Sequence, residues 1–180
     1  MKKLTVLLVL IFILLNDLYS QEKTSSKEVG LYFSSLNSFG VRYKFGNEKR
    51  MFRLTALSLS AERTTSPDQN KAGAGLNFGV ELPFRITDVF SFYSGPELRS
   101  SFNHQKIYYT SFDYNSINEY NVGIGMILGF SRSFQSNIIV SVEIVPGFSY
   151  NKIVSDNVDT TSFGFGLYSN SAAITIGYRF

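Results

Sequence analysis

The sequence has no cysteine, no tryptophan and only one histidine among its 180 residues. The absence of cysteine excludes disulfide bonds, thiolate metal ligands, a cysteine nucleophile and a lipid anchor on an N-terminal cysteine. With one histidine and no acidic cluster of suitable spacing, the sequence predicts no metal site and no cofactor. Charged residues make up only 17% of the chain, whereas phenylalanine (17) and tyrosine (11) are abundant. So many aromatic residues exclude a disordered chain, and the nearly balanced charge argues against a nucleic-acid partner.

The first twenty residues have the organisation of a secretory signal peptide. Lys2 and Lys3 precede an apolar stretch at residues 4–15, and the small residue Ser20 follows. The stretch is too short for a membrane-spanning helix, so we predict a signal peptide at 1–20 with cleavage after Ser20. No later apolar run approaches the length of a transmembrane helix.

The remaining residues, 21–180, alternate between apolar and polar side chains with a period of two, which is the pattern of β-strands. In residues 120–130, for example, Val122 and Ile124 alternate with Gly123 and Gly125. This segment has the length that a tilted strand needs to cross a bilayer. The eight strands that the pattern predicts are residues 28–34, 39–45, 51–62, 74–84, 89–103, 120–130, 140–150 and 161–180.

Two of these strands change the parity of their apolar residues, at Ala56–Leu57 and at 168–171. A slip of one residue would turn all later side chains to the wrong face, so we predict a β-bulge at each place. The connections also alternate in length. Short ones lie at 46–50, 85–88 and 131–137, and longer polar ones at 63–71, 104–118 and 152–160. Short turns at one end and longer loops at the other are typical of an outer-membrane barrel, although the first outer connection, 35–38, is short.

Glycine indicates which face of the predicted barrel points inward. Every glycine except Gly46 falls on the polar face of its strand. Glycine weakens a strand and serves no purpose on a solvated outer face, but it fits the narrow lumen of an eight-stranded barrel. The apolar face therefore meets lipid, and aromatic residues at both ends of the strands form the two expected girdles. Strand one must pair with strand eight, because an open sheet edge is not tolerated in hydrocarbon.

The C-terminal residues carry a family resemblance. Ile174, Ile176, Tyr178 and Phe180 place an apolar or aromatic residue at every second position up to the last one. This segment resembles the terminal strand of Gram-negative outer-membrane barrels, which the barrel-assembly machinery reads. The mature chain thus resembles the small eight-stranded outer-membrane β-barrel proteins. The resemblance implies a monomer in the outer membrane, in contact with lipid and lipopolysaccharide. Members of that group include adhesion or protective proteins, membrane anchors and a few lipid A-modifying enzymes.

The predicted lumen face carries both signs of charge. Buried charges must be paired, so we predict a structural network of salt bridges that fills the lumen, with a narrow ion pathway or an acid–base carboxylate pair as alternatives. The residues of this predicted network are Glu28, Arg42, Lys44, Arg53, Glu81, Glu97, Arg99, Glu143 and Arg179.

Two further features bear on function. His104 could meet Ser100, Ser101, Glu97 or Glu119 in a hydrolytic set, but it lacks the His-x-Ser spacing of the lipid A deacylases that it would resemble. The loop at 106–118 holds candidate contact residues for an extracellular ligand or for the lipopolysaccharide interface, namely Tyr108, Tyr109, Phe112 and Tyr114. The sequence therefore predicts a non-enzymatic barrel with a structural or surface-interaction role. A lipid A-modifying hydrolase and a narrow channel are the alternatives.

Overall fold

A computed structural model describes residues 26–35, 38–65, 68–108, 114–134, 137–155, 159–167 and 171–180. The predicted signal peptide lies outside these residues. The described chain is almost entirely β-strand. Its strands are β1 (Ser26–Ser35), β2 (Ser38–Asn47), β3 (Arg50–Thr65), β4 (Asp68–Arg85), β5 (Phe90–Tyr108), β6 (Tyr114–Ser133), β7 (Ile138–Ile144), β8 (Gly147–Ser155), β9 (Asp159–Gly166) and β10 (Ala172–Arg179).

These ten segments form a closed antiparallel barrel of eight strands, as the alternation predicts. β7 and β8 both pair with β6 and together make the seventh barrel strand. β9 pairs with β8 and β10 pairs with β7, so that β9 and β10 make the eighth strand. The barrel closes where β10 pairs with β1, from Glu28 opposite Arg179 to Phe33 opposite Ile174.

One register irregularity lies where a parity slip predicts it. The pairing of β3 with β4 shifts between Leu57 and Ser60, which confirms the first predicted bulge. The eighth strand is interrupted between Gly166 and Ala172, although of the predicted bulge at 168–171 only Ser171 lies within the described residues.

The seventh strand is also interrupted, at Val145 and Pro146, where the sequence predicts a continuous strand. Proline has no N–H to give to the ladder. The break nevertheless keeps its polar groups paired, because the Pro146 carbonyl accepts a hydrogen bond from the Met126 N–H at 2.9 Å and the Val145 N–H donates to the Ser171 carbonyl at 2.7 Å.

The predicted long loops are corrected by the structure. Most residues of 63–71, 104–118 and 152–160 are extensions of paired strands, up to pairs such as Thr65 with Asp68 and Tyr108 with Tyr114. These hairpin ends do not have to present an apolar face to lipid, so they carry polar residues on both faces. The period-two alternation is therefore not visible there. The predicted turn residue Gly46 likewise lies inside β2.

Burial follows strand parity. In β10 the burial alternates at each residue, with Ala173, Thr175 and Gly177 buried inside and Ile174 and Ile176 exposed outside. The outward surface carries exposed aromatic and aliphatic side chains around the barrel, which is the arrangement of a protein that contacts lipid. Within the described residues, no helix has the length and apolar character needed to cross a membrane.

Gly129 shows why glycine occupies the lumen face. It lies opposite Tyr93 in the β5–β6 ladder, and a Cβ at Gly129 would fall well inside contact distance of the buried Tyr93 ring. We therefore expect Gly129→Ala to lower the free energy of unfolding by about 1–3 kcal/mol through overpacking. Denaturant unfolding of the refolded barrel measures this loss. The same substitution in a Tyr93→Ala background is the matched control, and an equal cost in both backgrounds would contradict the packing account.

Candidate functional site

A network of charged side chains crosses the lumen, and Arg53 stands at its centre. The Arg53 guanidinium is fully buried and donates to three carboxylates. It binds Glu97 through Nε and Nη2, Glu81 at 3.1 Å and Glu143 at 2.8 Å. Since these acids come from β4, β5 and β7, a single side chain from β3 joins strands around the barrel.

Arg42 forms the second centre of the network. Its two terminal nitrogens bind the two oxygens of Glu143, each at 2.8 Å, in the bidentate geometry that gives the strongest ion pairs. Its Nε donates to the Thr55 hydroxyl at 2.9 Å, and Nη1 also donates to the Thr175 hydroxyl at 3.0 Å. The guanidinium also lies 4.4 Å from the centre of the buried Tyr32 ring.

Lys44 extends the network toward the end of the barrel with the short turns. Its Nζ lies 3.1 Å from Glu81 and 3.6 Å from Glu28. Glu28 in turn lies 3.5 Å from Arg179, whose side chain is 46% exposed and so stands at the mouth rather than in the closed lumen.

Arg99 lies on the opposite side of the network, toward the long hairpins. Its Nε is 3.1 Å from Glu97, in agreement with their placement two residues apart on one face of β5. The side chain is 18% exposed, because it borders open space above the network.

Sequence reasoning missed Tyr32, Thr55 and Thr175, all fully buried partners of Arg42. Their parity along the strands places them on the lumen face, and this parity could have identified them as partners of the charged residues there. Tyr93 also lies on the lumen face by parity, and it and Tyr32 are the buried aromatic side chains among the described residues. Tyr93 itself donates a hydrogen bond to Glu143 at 3.1 Å.

The network separates two cavities. The inner cavity, at the end of the barrel with the short turns, has a volume of about 220 Å³ and borders Glu28, Lys44, Glu81 and Arg179. The outer cavity, toward the long hairpins, has a volume of about 420 Å³ and is lined mostly by polar residues. Among the described residues no group of three histidine, cysteine or acidic side chains could hold a metal ion.

The structure does not bring the candidate hydrolytic residues together. The His104 Nδ1 contacts the Asn118 Oδ1 at 2.8 Å, and the Ser100 hydroxyl donates to the Leu76 carbonyl at 2.9 Å. The carboxylate of Glu119 accepts hydrogen bonds from the amides of Asn103 and Asn151 instead.

The candidate surface residues lie at the long-hairpin end of the barrel, and the assembly residues extend along the eighth strand to the short-turn end. Tyr108 and Tyr114 form the last described pair of the β5–β6 hairpin, and Tyr109 and Phe112 lie outside the described residues. The assembly residues are on β10 and just after it, and all are exposed outward, with exposures of 49% for Ile174, 49% for Ile176, 48% for Tyr178 and 60% for Phe180.

The closed barrel, its outward apolar surface and its charged lumen define the class: a small eight-stranded β-barrel of the outer-membrane type. No protein-family model matches the sequence, and no curated protein matches it. Among solved structures, a major outer membrane protein from Thermus thermophilus is similar over 88% of this chain and 100% of its own, with 10% identity and a TM-score of 0.50. That likeness shows the shared fold.

Two further solved structures are similar to lesser degrees. Neisserial surface protein A matches 86% of this chain and 92% of its own, with 14% identity and a TM-score of 0.44. CarO of Acinetobacter baumannii matches 86% and 97%, with 9% identity and a TM-score of 0.42.

Proposed function

We propose that this protein is a non-catalytic outer-membrane barrel with a structural or surface-interaction role, and that its lumen is closed. The observation that carries the proposal is the network around Arg53 and Arg42, whose charged groups are buried and bind partners across the lumen. A conducting pore needs a continuous water path, whereas this network joins facing walls by direct ion pairs. The long paired hairpins at the outer end provide the surface for an extracellular partner.

Conductance in planar bilayers tests closure. We expect no discrete current steps from the wild-type protein, because the paired side chains block the lumen. Removing the Arg42 side chain with its partner, in Arg42→Ala/Glu143→Ala, deletes both halves of one ion pair and widens the lumen. We expect small, frequent steps from that double variant. Regular steps from the wild-type protein would contradict the proposal and favour the narrow channel.

The hydrolase alternative is tested on lipid A. Mass spectra of lipid A from cells with and without the protein should show the same acyl chains, because His104 contacts an asparagine rather than a serine or a carboxylate. Loss of an acyl chain that depends on the protein, and that His104→Ala abolishes, would establish the enzyme instead.

We also propose a monomer that the barrel-assembly machinery inserts by its C-terminal residues, in contact with lipid and lipopolysaccharide. The outward orientation of Tyr178 and Phe180 supports this, since both side chains are free for recognition before the wall meets lipid.

A further inference from the structure

The wall of the barrel is lowest at the β1–β2 hairpin. On one side the pairing of β1 with the eighth strand ends at Phe33 and Ile174. On the other side the pairing of β2 with β3 ends at Gly40 and Leu57. The strands on both sides continue past these pairs, to Thr65 in β3 and through β9 in the eighth strand.

These continuing strands leave an opening above the hairpin. Among the described residues, β9 pairs only with β8, and β3 beyond Leu57 pairs only with β4. A strand rises about 3.3 Å per residue and tilts by about 40°, so β3 rises roughly 20 Å beyond its last pair with the hairpin, Leu57 with Gly40. The opening is therefore two strands wide, since β1 and β2 are the strands that end below it.

The opening lies within the apolar band of the outer surface. On the eighth strand, Ile174 is opposite the top of β1, and three outward apolar side chains lie beyond it: Leu167, Phe165 and Phe163. They are 63%, 70% and 81% exposed. Because lipid must cover these side chains, the hairpin ends part of the way through the bilayer, and the opening faces the outer leaflet.

Burial on the inner side of β9 agrees with an open wall. The lumen-facing positions of β10 are buried, whereas Thr160 and Ser162 on the corresponding face of β9 are exposed. The same Ser162 lines the outer cavity, so the cavity reaches the strand that borders the opening.

The outer cavity has the size and chemistry of a head-group site. Its volume of about 420 Å³ lies in the range of small-ligand pockets. Lys71 and Arg99 line it against one carboxylate, Glu119, whose two oxygens already accept hydrogen bonds from Asn103 and Asn151. Glu97, below the cavity, is shared between Arg53 and Arg99. The residues that line the cavity thus carry two cations and one carboxylate, and this excess of positive charge favours an anionic group.

An apolar groove begins at the lower edge of the same opening, on the outward face. It has a volume of about 1080 Å³ and is almost wholly apolar. Phe33, Ala172 and Ile174 line it beside the opening, and Leu128 and Val142 line it farther along. A polar cavity on the inner side of the opening and an apolar groove on its outer side match a molecule with a charged head and an acyl chain.

We propose that this opening is a binding site for an anionic amphiphile of the outer leaflet, with its phosphate or carboxylate head in the outer cavity and its acyl chain in the groove. The backbone supports this occupant. Along the opening, the edges of β9 and β3 have no neighbouring strand among the described residues, and edge N–H and C=O groups are costly in hydrocarbon. A polar head with its water supplies such groups with partners. The site depends on the placement of the barrel in a membrane, but not on whether the lumen conducts.

The absence of tryptophan makes the site testable by fluorescence. Phe33→Trp places a single reporter at the opening, and Phe102→Trp places one on the outward face of β5, across the barrel. Each full-length variant is refolded into phosphatidylcholine vesicles that contain a small fraction of phosphatidic acid with brominated, quenching acyl chains. Brominated phosphatidylcholine at the same fraction corrects for the depth of each reporter.

At the Phe33→Trp reporter, we expect a given mole fraction of brominated phosphatidic acid to quench as strongly as about ten times that mole fraction of brominated phosphatidylcholine. The Phe102→Trp reporter should be quenched equally by both lipids. Lys71→Gln/Arg99→Gln should abolish the extra quenching by phosphatidic acid. If this double variant does not fold, Lys71→Gln alone serves as the test and should reduce the extra quenching. Arg85→Gln, at the opposite end of the barrel, is the charge-matched control and should keep it.

Three results would overturn the site. Equal quenching by both lipids at Phe33→Trp would show that no head group is captured. The same excess at Phe102→Trp would show only a general shell of anionic lipid. Protection of Phe33→Trp from both lipids would indicate that a strand of another chain fills the opening.

Discussion

Replacing Arg53 with methionine should destabilise the barrel by about 3–5 kcal/mol, because it leaves a cluster of buried carboxylates with one cation too few. Arg53 is fully buried and binds Glu81, Glu97 and Glu143 at once. Methionine keeps much of the volume of the arginine side chain, so the loss of stability reflects the missing charge rather than a new cavity. Urea unfolding of the protein in lipid vesicles, followed by heat-modifiable gel mobility, measures the difference.

The matched control for this prediction is Arg85→Gln. Arg85 is 61% exposed and lies 3.7 Å from the exposed Glu48, so its removal should change stability by less than about 1 kcal/mol. Addition of Glu97→Gln to Arg53→Met should recover part of the loss, since removing one negative charge restores the balance of charge in the network. A cost for Arg53→Met no larger than that for Arg85→Gln would mean that the network does not hold the lumen together.

An arginine in the middle of the lipid-facing surface should have the second large effect. Met126 lies on the outward face of β6 and is 51% exposed. We expect Met126→Arg to lower the free energy of unfolding in vesicles by about 2–4 kcal/mol, the cost of a cation near the bilayer midplane of a barrel.

The control for Met126→Arg is Phe134→Arg, which follows the end of β6 near the short-turn end and is also exposed. Near the membrane interface the same change should cost only about 0–1 kcal/mol. An equal loss in the free energy of unfolding at the two positions would show that the loss does not depend on depth in a bilayer.

The sequence carries enough information for the architecture, and the reason lies in β6. From Tyr120 to Phe130 each outward residue is apolar, and glycine or a polar residue occupies most positions between. A barrel in lipid requires that alternation, so strand number and the inward face follow from it. The bulge in β3 could be predicted for the same reason, because a slip of parity between Ala56 and Leu57 needs an extra residue.

Other features depend on register between distant strands, which the alternation does not encode. Which carboxylates Arg53 meets is decided by strand tilt and closure, and Arg53 and Glu143 are 90 residues apart. The hairpin extensions beyond the membrane lack an apolar face, so the residues at 63–71 look like loop. The opening above β1–β2 follows only from where the pairs Phe33–Ile174 and Gly40–Leu57 end.

The central claim is that the glycine-bearing, charged face is the lumen and that the apolar face meets lipid. Since the chain has no cysteine, nitroxide labels can be placed on single cysteines at each position from 120 to 130. In vesicles, labels at even positions should collide with oxygen dissolved in the bilayer, and labels at odd positions should not. An oxygen pattern with the opposite parity, or with no period of two, would contradict the account.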